Sequence, residues 1–280
     1  MASPTMDDGE RRELAEALAP VIRRAGKAVL EARAQGFETR YKDDASPVTS
    51  ADLESEAIVT SALSDICPEI PVVGEESFSR ERTGAALPAR FFLLDPLDGT
   101  REFVAGRKDF TINAALIEDG VPTLGVLFAP AHRRLFLSWA EGAAFECRED
   151  GSRHPLPDPD VEERSKPLVL VSRSHPDDST MALVRCLRPC TLRALGSSLK
   201  FALVAAGEAD FYVRLSPTMA WDSAAGQALI EAAGGAVLQP DGSRLAYLLS
   251  ANLRNEGFLA SRTPTLARRA AELIRIKVAS

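Results

Sequence analysis

The segment Phe91–Phe103, FFLLDPLDGTREF, limits the possible folds of this chain more tightly than any other. Four consecutive apolar residues, Phe91 to Leu94, call for a buried strand. Pro96 cannot donate to a strand ladder and Gly99 permits a tight turn, so the strand is expected to end there. Two carboxylates, Asp95 and Asp98, then emerge together at its tip. Such a pair repels itself unless a hard divalent cation neutralises it, and the carbonyl of Leu97 offers a further oxygen. Thr100 and the amides after it would open a helical turn suited to holding a phosphate oxygen. Taken alone, the same residues suit a hydrogen-bonded aspartate turn equally well, so the reading rests on the acids elsewhere in the chain.

The chain has 280 residues, of which 45% are hydrophobic and 26% charged, enough for a core of ordinary depth in one large domain or two modest ones. Lys and Arg number 33 against 40 Asp and Glu, giving a net charge of −7 that argues against a nucleic-acid partner. Cys67, Cys147, Cys186 and Cys190 form neither a CxxC pair nor a dense framework, which fits a reducing compartment. The N-terminal stretch lacks the basic head and apolar run of a signal peptide, and no later stretch has the length of a membrane span. A cytoplasmic location is expected, with peripheral association at the inner membrane left open, as are monomer and homodimer.

Apolar spacing predicts helices from about Arg12 to Ala34 and from Ser50 towards Pro68. Short strands should follow at 71–73, 91–94, 110–117, 123–128 and 134–137. The Pro- and acid-rich stretch from Gly142 to Ser165 reads as a domain junction or long surface connection. Beyond it, strands at 168–171 and 210–213 should alternate with helices at 180–187, 196–206, 221–233 and 264–276. This is a layered α+β or α/β chain with two lobes: residues 1–160, carrying most metal ligands, and residues 161–280, carrying Asp222 and the substrate contacts.

Other acids fall at element ends. Glu75 and Glu76 follow the strand that closes at Gly74, in PVVGEES; Asp52 sits in the first turn of a helix, in SPVTSAD; Asp222 opens the helix WDSAAGQALIEAAGG. Each placement has an ordinary explanation, as solvated loop, macrodipole partner or helix cap. Together they could line one cleft. Three histidines and no paired thiolates argue against zinc, whereas all-oxygen ligation suits magnesium or manganese. Such ions polarise a phosphoryl group and lower the pKa of a bound water, which points to hydrolysis of a phosphate ester.

The ordered motifs SPVTSAD, GEES, DPLDGT and WDSAAG resemble those of the magnesium-dependent, lithium-sensitive inositol monophosphatase superfamily, over nearly the whole chain. The resemblance implies a layered αβαβα sandwich with two or three Mg2+ ions, Mn2+ being an alternative. It implies that Glu75, Asp95, Asp98, Asp222 and the Leu97 carbonyl hold metal. Asp52 and Thr100, helped by Glu75, would orient and deprotonate the attacking water.

Within the superfamily, residues 95–130, SRSH at 172–175 and residues 196–215 are similar to the 3'(2'),5'-bisphosphate nucleotidase branch. That branch implies hydrolysis of adenosine 3',5'-bisphosphate to AMP and phosphate, with a link to sulfur assimilation. A second phosphate remote from the metals needs fixed cations and hydroxyls. Ser197, Lys200 and Arg214 could supply them, with His175 against the base or a phosphate and Gly99 and Thr100 at the reacting group. A basic Arg214 argues against inositol phosphate as substrate. The alternatives are an inositol-type phosphatase of broader specificity and a catalytically silent nucleotide or metal sensor. The water-orienting hydroxyl of Thr100 favours catalysis over the sensor.

Overall fold

The computed structural model describes residues 5–42, 45–78, 88–158, 164–247 and 253–278. Helix α1 (Asp8–Gln35) begins at a reciprocal cap: the Glu10 amide donates to the Asp7 carboxylate, and the Asp7 amide donates to the Glu10 side chain. A small hairpin, β1 (Thr39–Tyr41) with β2 (Pro47–Thr49), leads into α2 (Ser50–Ile66). Then come β3 (Val72–Gly74), β4 (Arg90–Asp98), the short helix α3 (Thr100–Val104), β5 (Thr111–Glu118), β6 (Val121–Ala129), β7 (Arg134–Ala140), β8 (Ala143–Cys147) and β9 (Arg153–Pro155). These seven strands form one sheet in sequence order, with β3 parallel to β4 and every later pair antiparallel.

The four apolar residues of β4 are consecutive because both faces of this sheet are covered. Phe92 and Leu94 join Leu18, Ile22 and Val29 of α1 in one apolar cluster, while Phe91 and Leu93 join Phe201, Leu229 and Ile230 in another. Burying each phenylalanine fully contributes about 1.5–3 kcal/mol.

The second cluster is completed by the rest of the chain. After β10 (Leu168–Ser172) and α4 (Asp178–Cys186) come β11 (Thr191–Leu195), α5 (Leu199–Ala205), β12 (Phe211–Arg214), β13 (Thr218–Met219) and α6 (Ala220–Ala232). The chain then runs through β14 (Ala236–Leu238), β15 (Arg254–Asn255) and β16 (Phe258–Ser261) to α7 (Pro264–Val278). The second sheet has the order β11-β10-β12-β16-β14, parallel among its first three strands and antiparallel at β16. Leu170, Tyr212 and Ala260 face inward towards α5 and α6; Val169, Val171, Phe211 and Val213 pack outward against Leu183 and Val184 of α4 and Ala270 and Ala271 of α7. The layers are therefore α1/α2, first sheet, α5/α6, second sheet and α4/α7: the αβαβα sandwich.

Three details differ from the sequence expectation. β4 does not stop at Asp95 but continues to Asp98 across a bulge, because Thr111 still pairs with Asp98 beyond the irregular step. The stretch from Gly142 to Ser165 is not simply a connection: β8 and β9 extend the first sheet there, and residues 159–163 lie outside the described residues. The helix expected from Gly196 starts at Leu199, because residues 196–198 form a turn with Ser197 at a φ of 48°. Among the described residues, no helix is long and apolar enough to cross a membrane, and all four cysteines are free thiols.

Gly125 in β6 sets the distance between the first sheet and α6. A Cβ there would lie 2.6 Å from the Ala225 carbonyl oxygen and 2.9 Å from Ala228 Cβ, and the backbone oxygen cannot swing away. Gly125→Ala should therefore lower stability by about 1–3 kcal/mol, as overpacking of a closed interior does, read as a lower urea midpoint with an unchanged denaturant slope.

Candidate active site

Two of the predicted acids occupy the same position in different helices, the third residue of α2 (Asp52) and the third of α6 (Asp222). Each turns back on its own helix start. The Thr49 amide donates to Asp52 Oδ2 at 2.8 Å and the Thr49 hydroxyl donates to the same oxygen at 2.5 Å. The Met219 amide donates to Asp222 Oδ2 at 3.1 Å, alongside the Thr218 hydroxyl. These contacts are ordinary capping, and they leave the other carboxylate oxygen of each acid directed elsewhere.

Glu75 follows β3 and Asp95 sits at the bulge of β4. One carboxylate oxygen from each of Glu75, Asp95 and Asp222 lies within 4.8 Å of the other two, although the three residues come from widely separated parts of the chain. Asp95 is almost wholly buried. Its Oδ1 accepts from the Leu97 amide at 3.1 Å, and its Oδ2 is buried with no hydrogen-bond partner. Burial, followed by the charges of Glu75, Asp98 and Asp222, holds the Asp95 carboxyl well above the usual range. Burial also pushes Glu75 up to about 8, against the pull of Lys42 and with Asp222 adding to the rise. Asp222 is pushed up to about 6 by burial and the nearby Asp98.

Asp98 is fixed from the other half of the chain. Its Oδ2 accepts from both the amide and the hydroxyl of Ser198, and Ser198 Oγ also lies 2.6 Å from the Asp222 carbonyl oxygen. A Cβ on Gly99, whose φ is 89°, would stand 3.1 Å from Ser197 Cβ and 2.9 Å from the Asp109 carbonyl oxygen. Only glycine fits this turn, for both space and conformation.

Asp52, Thr100 and the Leu97 carbonyl form a second unit. Thr100 Oγ1 lies 3.1 Å from Asp52 Oδ1 and 3.0 Å from the Leu97 carbonyl oxygen, so its single proton can go to either. Asp52 is buried, and desolvation raises its pKa despite the donors of Thr49 and Thr100.

The chain matches the model of the inositol monophosphatase family over residues 10–278. It belongs to that family. It is 39% identical over 245 residues to the 3'(2'),5'-bisphosphate nucleotidase CysQ of Salmonella typhimurium, covering 87% of this chain and 97% of that protein. Identity to the enzyme of the same name from Buchnera aphidicola is 37% over 257 residues, covering 89% and 94%. Among solved structures, CysQ of Bacteroides thetaiotaomicron, a bacterial member of this family, superposes with a TM-score of 0.74 at 30% identity, covering 89% of this chain and 97% of that one.

The expected site residues do not all behave alike in this member of the family. Glu76 turns from the cluster to the Lys42 ammonium, which donates to Glu75 at 2.7 Å and to Glu76 at 2.8 Å. Lys200, expected as a phosphate donor, is turned inward and buried: its ammonium donates to the Leu195 carbonyl at 3.2 Å and to the Ser197 carbonyl, and lies 4.8 Å from the Tyr212 ring centre. Burial lowers its pKa to about 8. Holding the turn that carries Ser197 and Ser198 is thus its visible task. Arg214 is half-buried, donating from Nη2 to the Pro217 carbonyl at 2.7 Å and from Nε to Ser216 at 3.3 Å. His175 is exposed, yet partial desolvation and the charges of Arg214 and Arg101 push its imidazole down to about 4. That effect brings Arg101, which sequence reasoning passed over, into the same electropositive surroundings.

Sequence reasoning also missed Lys42, Ser55, Glu56, Ser198 and Thr218. Ser55 and Glu56 carried a usable signal: two polar residues one helical turn after Asp52, on the face of α2 that should be apolar.

The donor set fits a hard divalent cation. It is all carboxylate and carbonyl oxygen, its ionised form is unfavourable without added positive charge, and one buried oxygen lacks a partner. A pH dependence follows. A carboxyl whose folded pKa is raised binds its proton more tightly in the folded state, so its stabilising contribution is lost as pH rises from the ordinary carboxylate range through about 6 for Asp222 and about 8 for Glu75. A cation at this site competes with those protons. The rise in melting temperature produced by saturating Mg2+ should be larger at pH 8 than at pH 6, measured by calorimetry at constant ionic strength; a constant or reversed difference would count against the site.

Proposed function

We propose that this chain is a magnesium-dependent 3'(2'),5'-bisphosphate nucleotidase that hydrolyses adenosine 3',5'-bisphosphate to AMP and phosphate. The observation that carries the reading is the juxtaposition of two unlike surfaces: the carboxylates of Glu75, Asp95 and Asp222, and beside them the guanidinium groups of Arg101 and Arg214 with the neutral imidazole of His175. A nucleotide with two phosphates needs both. Bisphosphate nucleotidases covering most of this chain support the same substrate class.

In this reading Glu75, Asp95, Asp98, Asp222 and the Leu97 carbonyl hold two or three Mg2+ ions, with Mn2+ an acceptable substitute. When bound, such ions neutralise the phosphoryl and leaving oxygens and make water a stronger nucleophile. The chain's own residues then handle the proton. Thr100 Oγ1 passes its hydrogen towards Asp52 Oδ1, which frees its lone pair to accept from the attacking water. Burial raises the basicity of Asp52, and the two donors of Thr49 keep its carboxylate from rotating. Gly99 admits Ser197 and the Asp109 carbonyl against the turn that would face the reacting phosphate, so residues from both halves of the chain meet there. Ser198, by gripping Asp98 and the Asp222 carbonyl, keeps the first and second halves of the site in register. In the two-lobe division at residue 160, every proposed ligand but Asp222 belongs to the first lobe.

The remote phosphate is assigned to Arg214 and His175, with Ser197 as hydroxyl donor. A guanidinium tied at two nitrogens is already ordered, so little side-chain entropy is lost when it meets a phosphate.

Phosphate release across adenosine 3',5'-bisphosphate, inositol 1-phosphate and fructose 1,6-bisphosphate, with and without Mg2+, tests the assignment. The bisphosphate nucleotide should give the highest kcat/KM, and only with Mg2+. Preference for either sugar phosphate would overturn it. Arg214→Ala should raise KM for the bisphosphate by about tenfold or more, as loss of a charged hydrogen bond does, while leaving KM for a simple adenosine monophosphate within about twofold. Equal losses on both substrates would remove Arg214 from the remote site.

A further inference from the structure

Glu56 is buried at 7% exposure in α2, four residues after Asp52, and no step of the chemistry above uses it. A carboxylate in that position needs donors. It finds them in the loop that follows β3: the Glu76 amide donates to Glu56 Oε2 at 2.9 Å, and the Ser77 amide donates to Oε1 at 2.8 Å. Both carboxylate oxygens are thus spent on the two residues immediately after the proposed ligand Glu75. The Glu75 amide, in turn, donates to the Leu94 carbonyl of β4 at 3.0 Å. The backbone around Glu75 is therefore clamped between β4 and Glu56.

Gly74 adds an independent observation. Its φ is not in the left-handed region, so its conformation does not require glycine. Space does: a Cβ at residue 74 would lie 2.6 Å from the Glu56 carboxyl carbon and 2.6 Å from Oε2. The missing side chain makes room for the Glu56 carboxylate. Ser55, adjacent on α2, does a parallel task for the other ligand segment, donating to the Pro96 carbonyl between Asp95 and Leu97 at 2.7 Å.

We infer that Glu56 is a positioning residue: through the amides of Glu76 and Ser77 it fixes the loop that aims Glu75 at the metal, and Gly74 is the residue that admits it. One turn of α2 then carries the proton-accepting Asp52 and, on Ser55 and Glu56, the anchors of both ligand segments. The inference rests on the metal reading of the Glu75, Asp95 and Asp222 cluster, and its test separates the two.

Hydrogen exchange of the full chain without metal, followed at the amides of Glu76 and Ser77, reads the clamp directly. In Glu56→Ala both amides, and in the near-isosteric Glu56→Gln, which keeps a single acceptor oxygen, at least one of them, should exchange about tenfold faster or more, while the amides of β5 keep their protection. Calorimetric titration with Mg2+ should give a dissociation constant raised about 10- to 100-fold in Glu56→Gln, the usual cost of losing a group that orients a ligand. Gly74→Ala should weaken Mg2+ binding in the wild-type background and add little in the Glu56→Ala background, because the clash partner is gone. Unchanged exchange at both amides would overturn the assignment, as would Gly74→Ala effects that simply add to those of Glu56→Ala. A wild-type protein that binds no Mg2+ would overturn the metal reading, while the exchange measurement still decides the role of Glu56.

Discussion

Like charge held at close range, on one buried and two partly buried carboxylates, is the constraint from which the rest of this molecule follows. Glu75, Asp95 and Asp222 would be driven apart if each were free to move. They stay because each is built into an element that has other reasons to be where it is: a strand end, a strand bulge and a helix start. Asp222 caps α6, whose inner face lies in the same apolar cluster as Phe91 and Leu93 of β4. The packing of the sandwich thus holds a charge arrangement that a proton or a cation must complete.

The fixing of that arrangement extends outward in layers of hydrogen bonds. Ser223, next to Asp222, accepts from the Asn255 side-chain amide at 2.8 Å, and the Tyr247 hydroxyl lies 3.0 Å from Ser223 Oγ and 2.9 Å from Gln227 Oε1, so its single proton can go to either. These buried groups tie the segment after β14 to the first turns of α6. Desolvation holds the Tyr247 phenol far above its ordinary value, so it acts as a neutral donor throughout the working pH range. A wholly satisfied buried network of this kind adds rigidity where a site tolerates little displacement.

Much of the site was legible from local sequence because its acids sit at element ends, or in Asp95's case at a bulge, with recognisable punctuation. Asp95 and Asp98 flank Pro96 and precede Gly99; Asp52 follows the cap Thr49; Asp222 opens an apolar helix. The fold class was legible for the same reason, since helical and strand periodicities alternate along the chain. What was hidden depends on contacts between distant residues. Lys200 looks from its spacing like a solvated helix lysine or an outward donor, yet α5 lies between the two sheets and its ammonium is taken by carbonyls of the preceding turn. Glu56 finds its donors only when the loop after β3 lies on α2, a contact that local sequence does not show. The edge strand β9 was obscured by Pro155 and the Pro- and acid-rich residues after it, which an edge strand tolerates and a central strand does not.

Anomalous diffraction from crystals soaked in Mn2+ addresses the central claim most directly. The account predicts a peak bounded by the carboxylates of Glu75, Asp95 and Asp222, at about 2.2 Å from their oxygens as hard oxygen ligation requires. Mn2+ found only at surface carboxylates, with this cluster lacking a peak at saturating concentration and pH 8, would contradict it.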